Sequence, residues 1–149
     1  MRKHFLWWLT YFLKMPLVKK KLSPTKTREI LLQALYQKEI SDISNTDLIN
    51  QFKKEHREFD ISNIAEKLKG ISKNNDSLNK NIADNSSIEI KSIGEIEISI
   101  LRQSIFEIEN SDIDYPIVIN EAIKLAKKFG QEDSYIYING VLDYYIAAR

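Results

Sequence analysis

The stretch that most constrains this chain is Tyr115–Phe129, where Val118, Ala122, Leu125, Ala126 and Phe129 recur at helical spacing and draw one apolar stripe. Pro116 suits the first turn of a helix, where its missing N–H costs nothing. Lys127 and Lys128 stand in the last turn, where cations meet the negative end of the helix dipole, and Gly130 is expected to supply a left-handed stop. This segment therefore has a marked start, face and end.

Its 149 residues fit one domain with a sizeable core. The absence of cysteine removes disulfides, zinc–thiolate sites and thiol nucleophiles, and leaves the redox compartment undetermined. A formal net charge of +1 conceals an asymmetry. Through Arg28 the chain carries eight basic residues and no acid, which leaves the remainder at about −7. A basic arm on an acidic body suits either a polyanionic partner or a solvated tail.

The arm opens with an apolar run from Phe5 to Leu13, too short to span a bilayer, and no signal-peptide cleavage site follows it. Trp7, Trp8 and Tyr11 beside basic residues suit attachment to a membrane surface; the alternative is that Met15 is the true start. Residues 1–22 are accordingly read as an extension and 23–149 as the folded domain.

Ser23 followed by Pro24 opens a helix predicted to run to Ile40, with Leu31, Ala34, Leu35 and Lys38 on one face and Arg28 a turn before. Asn45 or Thr46 is expected to cap a second helix bearing Leu48, Ile49, Phe52 and Phe59, and Asp60 a third bearing Ile61, Ile64, Ala65, Leu68 and Ile71. Gly70 inside that third pattern costs about 1 kcal/mol relative to Ala and points to close packing against a neighbouring helix. The polar run Lys73–Ser87 reads as a loop with a weak helical core at Leu78 and Ile82.

Two segments send conflicting signals. Around Ile88–Ile100, isoleucine alternates with polar residues as in a strand. However, Ser92 and Glu95 form a capping box, and Ile93, Ile96, Ile100, Leu101, Ile105 and Ile108 hold a longer helical stripe, predicting a helix from Ile93 to Glu109. At the other end, aromatic and β-branched residues flank Asn139–Gly140, a favoured hairpin turn. Local propensity there favours two strands, although a lone hairpin has no sheet to join.

Catalysis finds little support. His56 in KKEHRE reads as a solvated residue, acid pairs such as Glu95/Glu97 sit two apart and diverge on a helix, and no Gly-rich phosphate loop, nucleophile elbow or zinc spacing exists. No enzyme activity, cofactor or metal is expected. RNA binding needs cations for phosphates and aromatic faces for unstacked bases, and Lys19, Lys20, Lys21, Lys26 and Arg28 supply the first.

The residues TREILLQALYQ at Thr27–Gln37, the Leu-Arg-bearing segment Ile93–Glu107 and INEAIKLAKKFGQEDS with INGVLD, from Ile119 to Asp143, occur in an order that resembles the NusB family of bacterial transcription antitermination factors. The likeness extends over most of Lys26–Asp143. It implies an all-α bundle of about seven helices in two three-helix groups, a third helix followed by a short fourth near Gly70–Asn79, and a final helix from about Asp133 to Ala147 in place of the hairpin, opened by Glu132, Asp133 and Ser134. The implied function is a cytoplasmic factor that joins the RNA polymerase antitermination complex and promotes rRNA transcription by binding boxA RNA, a single-stranded element of nascent transcripts, together with the ribosomal protein NusE.

By motif, Lys26 and Arg28 match basic positions on the RNA face, with Lys19–Lys21 standing further back than the arginines usual in relatives. Lysine lacks the planar fork of arginine, which implies weaker or less base-selective binding. Tyr137 matches an aromatic position near the RNA path and reads either as a stacking residue or as a core tyrosine. Asn120 and Asn139 read as buried polar locks between helices. Tyr36 and Glu97 match positions implied to contact NusE, on a face away from the basic arm. The alternative in another class is a NusB-like protein-interaction module with little RNA binding, of the kind attached to some RNA cytosine methyltransferases; these 149 residues contain no methyltransferase domain.

Overall fold

The computed structural model describes residues 18–149 together with Leu6, Trp7, Leu9 and Thr10. The readings of the extension as a membrane-surface segment or as a stretch upstream of the true start otherwise lie outside the described residues. Seven α-helices follow between residues 24 and 147: α1 (Pro24–Ile40), α2 (Asn45–Glu55), α3 (Ser62–Lys73), α4 (Asn75–Asp84), α5 (Glu95–Asn110), α6 (Tyr115–Phe129) and α7 (Ser134–Ala147), with a 3-10 turn at Ile90–Ser92 before α5. Helix α3 packs on α1 and α2, and α5, α6 and α7 form a second group; α5 also packs on α1, joining the two. Helix α4 links them at one end, touching α3, α5 and α7.

Local signals set several boundaries as expected. The Ser23 hydroxyl accepts from the Lys26 N–H at 3.1 Å, and Pro24 occupies the first turn of α1. Ser44 caps α2, one residue before the expected pair, and Asp60 accepts from the Ser62 N–H at 2.9 Å from just outside α3. Phe59 falls beyond α2, in the loop, and packs there half-buried against the core. At Gly70 a β-carbon would lie 2.5 Å from the Phe106 ring, so glycine permits the approach of α3 to α5.

Four expectations are corrected. Helix α5 begins at Glu95 with Gly94 as N-cap, because Ile93 and Gly94 are extended after a 3-10 turn at residues 90–92, and the Ser92 N–H that a capping box with Glu95 would use donates instead to the Glu89 carbonyl at 2.9 Å. Gly130 is extended, at φ −83° and ψ 178°, and the left-handed residue is Asp133, at φ 61°. Asp133 makes no side-chain cap bond to α7. Asn120 is exposed and locks nothing, whereas Asn139 is half-buried.

Helix α5 is the spine. Ile98, Ile100, Leu101, Ile105 and Ile108 are buried on several sides, together with Ser99, Gln103 and Ser104. The alternating isoleucines that imitate a strand belong to a helix with neighbours all round. Helix α7 differs: Ile138, Val141, Leu142 and Tyr145 are buried on one face at helical spacing while Ile136 and Tyr144 face solvent, so the hairpin signal gives way to tertiary packing.

Candidate nucleic-acid and partner interface

Ahead of α1 the chain is tied to the body. Lys20 donates its N–H to the Glu58 carbonyl at 2.7 Å and accepts from the Asp60 N–H at 3.0 Å, forming an isolated parallel bridge, and Leu22 is buried two residues later. Lys19, Lys20 and Lys21 keep exposed side chains and, among the described residues, enter no ion pair. Lys19 and Lys21 line a groove of about 250 Å³ with Thr27, Asp60 and Asn63. The Asp60 carboxyl is held below the usual range mainly by hydrogen bonds from Ser62, with Lys19 adding to the effect.

One turn into α1, Lys26 lies 3.6 Å from Glu29 with half its side chain exposed. Glu29 also accepts from Lys128, at the end of α6, at 2.7 Å, and that bond is the largest cause of its lowered carboxyl pKa. Its stabilising contribution is present above the ordinary carboxylate range and lost as pH falls through the lowered value. Lys127 sits 4.6 Å above the Tyr135 ring. A basic path thus runs from Lys19–Lys21 past Lys26 to Lys128 and Lys127, and reaches the aromatic start of α7. Tyr137 lies two residues on, half-buried, with its hydroxyl 2.5 Å from Ser86 in the loop before α5. That contact fixes the ring and leaves part of it accessible.

Arg28 does not join this path. Only 8% exposed, it forms a two-pronged bond to Glu107 on α5, at 3.1 and 2.5 Å, with Glu121 of α6 3.9 Å away. Its guanidinium pKa is raised, chiefly by the Glu107 bond. The fork that would grip phosphate instead clamps α1 to α5. Gln103 extends the clamp by donating to the Arg28 carbonyl at 3.2 Å.

Glu97 is likewise corrected as a surface contact, at 5% exposure. Its carboxylate accepts from the Gln131 N–H at 2.8 Å and secures the turn between α6 and α7, with its negative charge near the positive end of α7. This explains Gly130. A β-carbon there would meet the Ala126 carbonyl at 2.8 Å, Ser134 Oγ at 2.6 Å and Glu97 Oε1 at 3.0 Å. Gly130→Ala is expected to destabilise the fold by about 1 to 3 kcal/mol, as overpacking does, measured by urea unfolding. An unchanged midpoint would show that the turn relaxes freely.

Tyr36 is 36% exposed and lies at a second groove, almost wholly apolar, lined by Leu32, Gln33, Tyr36, Ile96 and Phe129. Lys128 stands 5.3 Å from the Phe129 ring. The apolar groove therefore begins where the basic path passes; Phe129 and Ile96 are additions that helix periodicity alone assigned to the interior, and Leu32 is one that the periodicity did not single out. Among the described residues no His, Cys, Asp or Glu cluster is arranged to hold a metal, and no helix is long and apolar enough to cross a membrane.

A seven-helix architecture with a basic path beside an apolar groove defines an all-α bundle with two adjoining candidate contact surfaces, and comparison with known proteins gives it a family. The NusB family model matches residues 25–147. The Transcription antitermination protein NusB of Hydrogenovibrio crunogenus is 38% identical over 122 residues, 80% of this chain and 76% of that protein. That of Pectobacterium carotovorum is 39% identical over 121 residues, 79% of this chain and 87% of that protein. A solved structure of T. maritima NusB shares the fold, with a TM-score of 0.77 at 23% identity over 86% of this chain and 93% of that one. The chain belongs to the NusB family, and is a transcription antitermination protein.

Proposed function

We propose that this protein acts in the cytoplasm by holding boxA RNA along the basic path and the ribosomal protein NusE in the apolar groove, so that RNA polymerase carrying the complex passes terminators during rRNA synthesis. The observation that carries the RNA half is the set of exposed lysines at positions 19–21, which enter no ion pair among the described residues and are pinned by backbone bonds beside the start of α1. Single-stranded RNA offers phosphates to Lys19, Lys20, Lys21, Lys26 and Lys128 and an unstacked base to Tyr137. The groove around Tyr36 supports the protein half, with an aromatic anchor type over an apolar floor.

The test is a titration of boxA RNA, with and without NusE, at several salt concentrations. Each single-stranded phosphate contact adds about 0.7 to the slope of log affinity against log salt, so Lys21→Ala with Lys26→Ala should flatten it by about 1 to 1.5. Binding that is absent, or indifferent to salt, would leave a protein-interaction module only.

A further inference from the structure

The corner between α2 and α3 carries a second group of cations that the family comparison does not explain. Lys53 and Lys54 close α2, Arg57 follows in the loop, and all three are exposed. Among the described residues none of them enters an ion pair, a state they share with the exposed Lys69 and Lys73 of α3, whereas Lys26, Lys80, Lys91, Arg102, Lys124 and Lys128 do. The bridge between Lys20 and Phe59 brings Lys19–Lys21 to this corner. The two backbone segments that meet at this bridge and the helix end leading into it thus carry six cations, against Glu55, Glu58 and Asp60. Of those acids, Glu55 is engaged by Gln51 at 2.9 Å and Asp60 by the Ser62 N–H. Six cations outnumber the three acids, two of which bond elsewhere, so the surplus of long flexible cations is available to an external polyanion.

We propose that this corner extends the RNA surface, and that Lys53, Lys54 and Arg57 hold phosphates of the single-stranded RNA flanking the element gripped along α1. The inference rests on the RNA reading above and lengthens its track. RNA suits the corner better than an anionic bilayer does. Residues 53–60 expose no large hydrophobic side chain for insertion, because Phe59 packs inward, and Phe52 is buried and stacks on His56 at 5.8 Å between ring centroids. The corner reads no sequence, because lysine and arginine on phosphate position a strand without distinguishing its bases.

The experiment compares the full chain with a Lys53→Ala/Lys54→Ala/Arg57→Ala variant, using an RNA limited to boxA and the same RNA lengthened by single-stranded flanks. The parent should bind the longer RNA more tightly and with a steeper salt slope. The variant should lose that gain, its slope falling by about 2 and its affinity about tenfold at low salt, while its affinity for the short RNA and its melting curve stay as in the parent. If the parent gains nothing from the flanks, or the variant keeps the gain, the corner is not a phosphate track, and salt-dependent binding of the short RNA leaves the main reading standing. If the parent binds neither RNA, both readings fall. Co-sedimentation with phosphatidylglycerol vesicles gives the remaining outcome: loss of vesicle binding in the variant with its RNA gain intact would overturn the proposal in favour of a lipid surface.

Discussion

Arg28→Ala should lower the unfolding free energy by about 3 to 5 kcal/mol, because it strands Glu107, and Glu121 beside it, in a site that is closed to water on most sides. The side chains of Arg28 and Glu107 are only 9% and 10% exposed, so solvent cannot replace the lost partner at little cost. For a domain of this size the melting temperature should drop by roughly 6 to 20 °C. Arg28→Lys should recover part of the loss, since an ammonium restores the charge without the two parallel bonds. Combining Arg28→Ala with Glu107→Ala should destabilise less than the sum of the single changes, because the second removes the stranded charge. RNA affinity measured on the folded fraction should keep its salt slope, which separates a clamp from a phosphate contact. A melting temperature within a degree or two of the parent, with a flattened slope, would return Arg28 to the RNA face.

Tyr36→Ala should weaken NusE binding by about 30-fold, equivalent to about 2 kcal/mol, while leaving stability nearly unchanged. The tyrosine is a third exposed and stands at the mouth of a groove floored by Leu32 and Ile96, so truncation removes an anchor without opening the core. Phe129→Ala should act in the same direction and also disturb RNA binding slightly, because Lys128 lies over its ring. Calorimetric titration of NusE into each variant measures both effects. Parent-like affinity in Tyr36→Ala would move the partner off this groove.

How much of this was legible in the sequence follows from the range of the forces involved. The N-terminus of α1 was readable because Ser23, Pro24 and the Lys26 N–H lie within one turn. Gly70 was readable as a close approach because glycine inside a helix has few other reasons to be there. Helices α5 and α7 were ambiguous for different reasons. Helix α5 buries side chains on more than one face, which erases the period that separates helix from strand; α7 buries one face, but Ile136 and Tyr144 make its exposed face apolar or aromatic too, and there the family resemblance rather than the pattern predicted a helix. Arg28 and Glu97 were misplaced for a different reason. Their partners, Glu107, Glu121 and the Gln131 N–H, lie 34 to 93 residues away, and no local rule distinguishes an exposed cation from one whose carboxylate arrives on a distant helix. Lys53, Lys54 and Arg57 drew no reading of their own beside His56, because only the bridge at Lys20 shows which other cations lie near them.

The central claim is that RNA and protein occupy adjoining but separate faces of one helical body. Amide hydrogen exchange of the chain with boxA RNA alone, with NusE alone and with both tests it most directly. RNA should slow exchange at residues 19–28 and at the start of α7, NusE should slow it on α1 around Leu32–Tyr36 and at the end of α6, and the ternary complex should show both sets together. Protection of the same residues by either ligand, with one set lost when both are present, would contradict it.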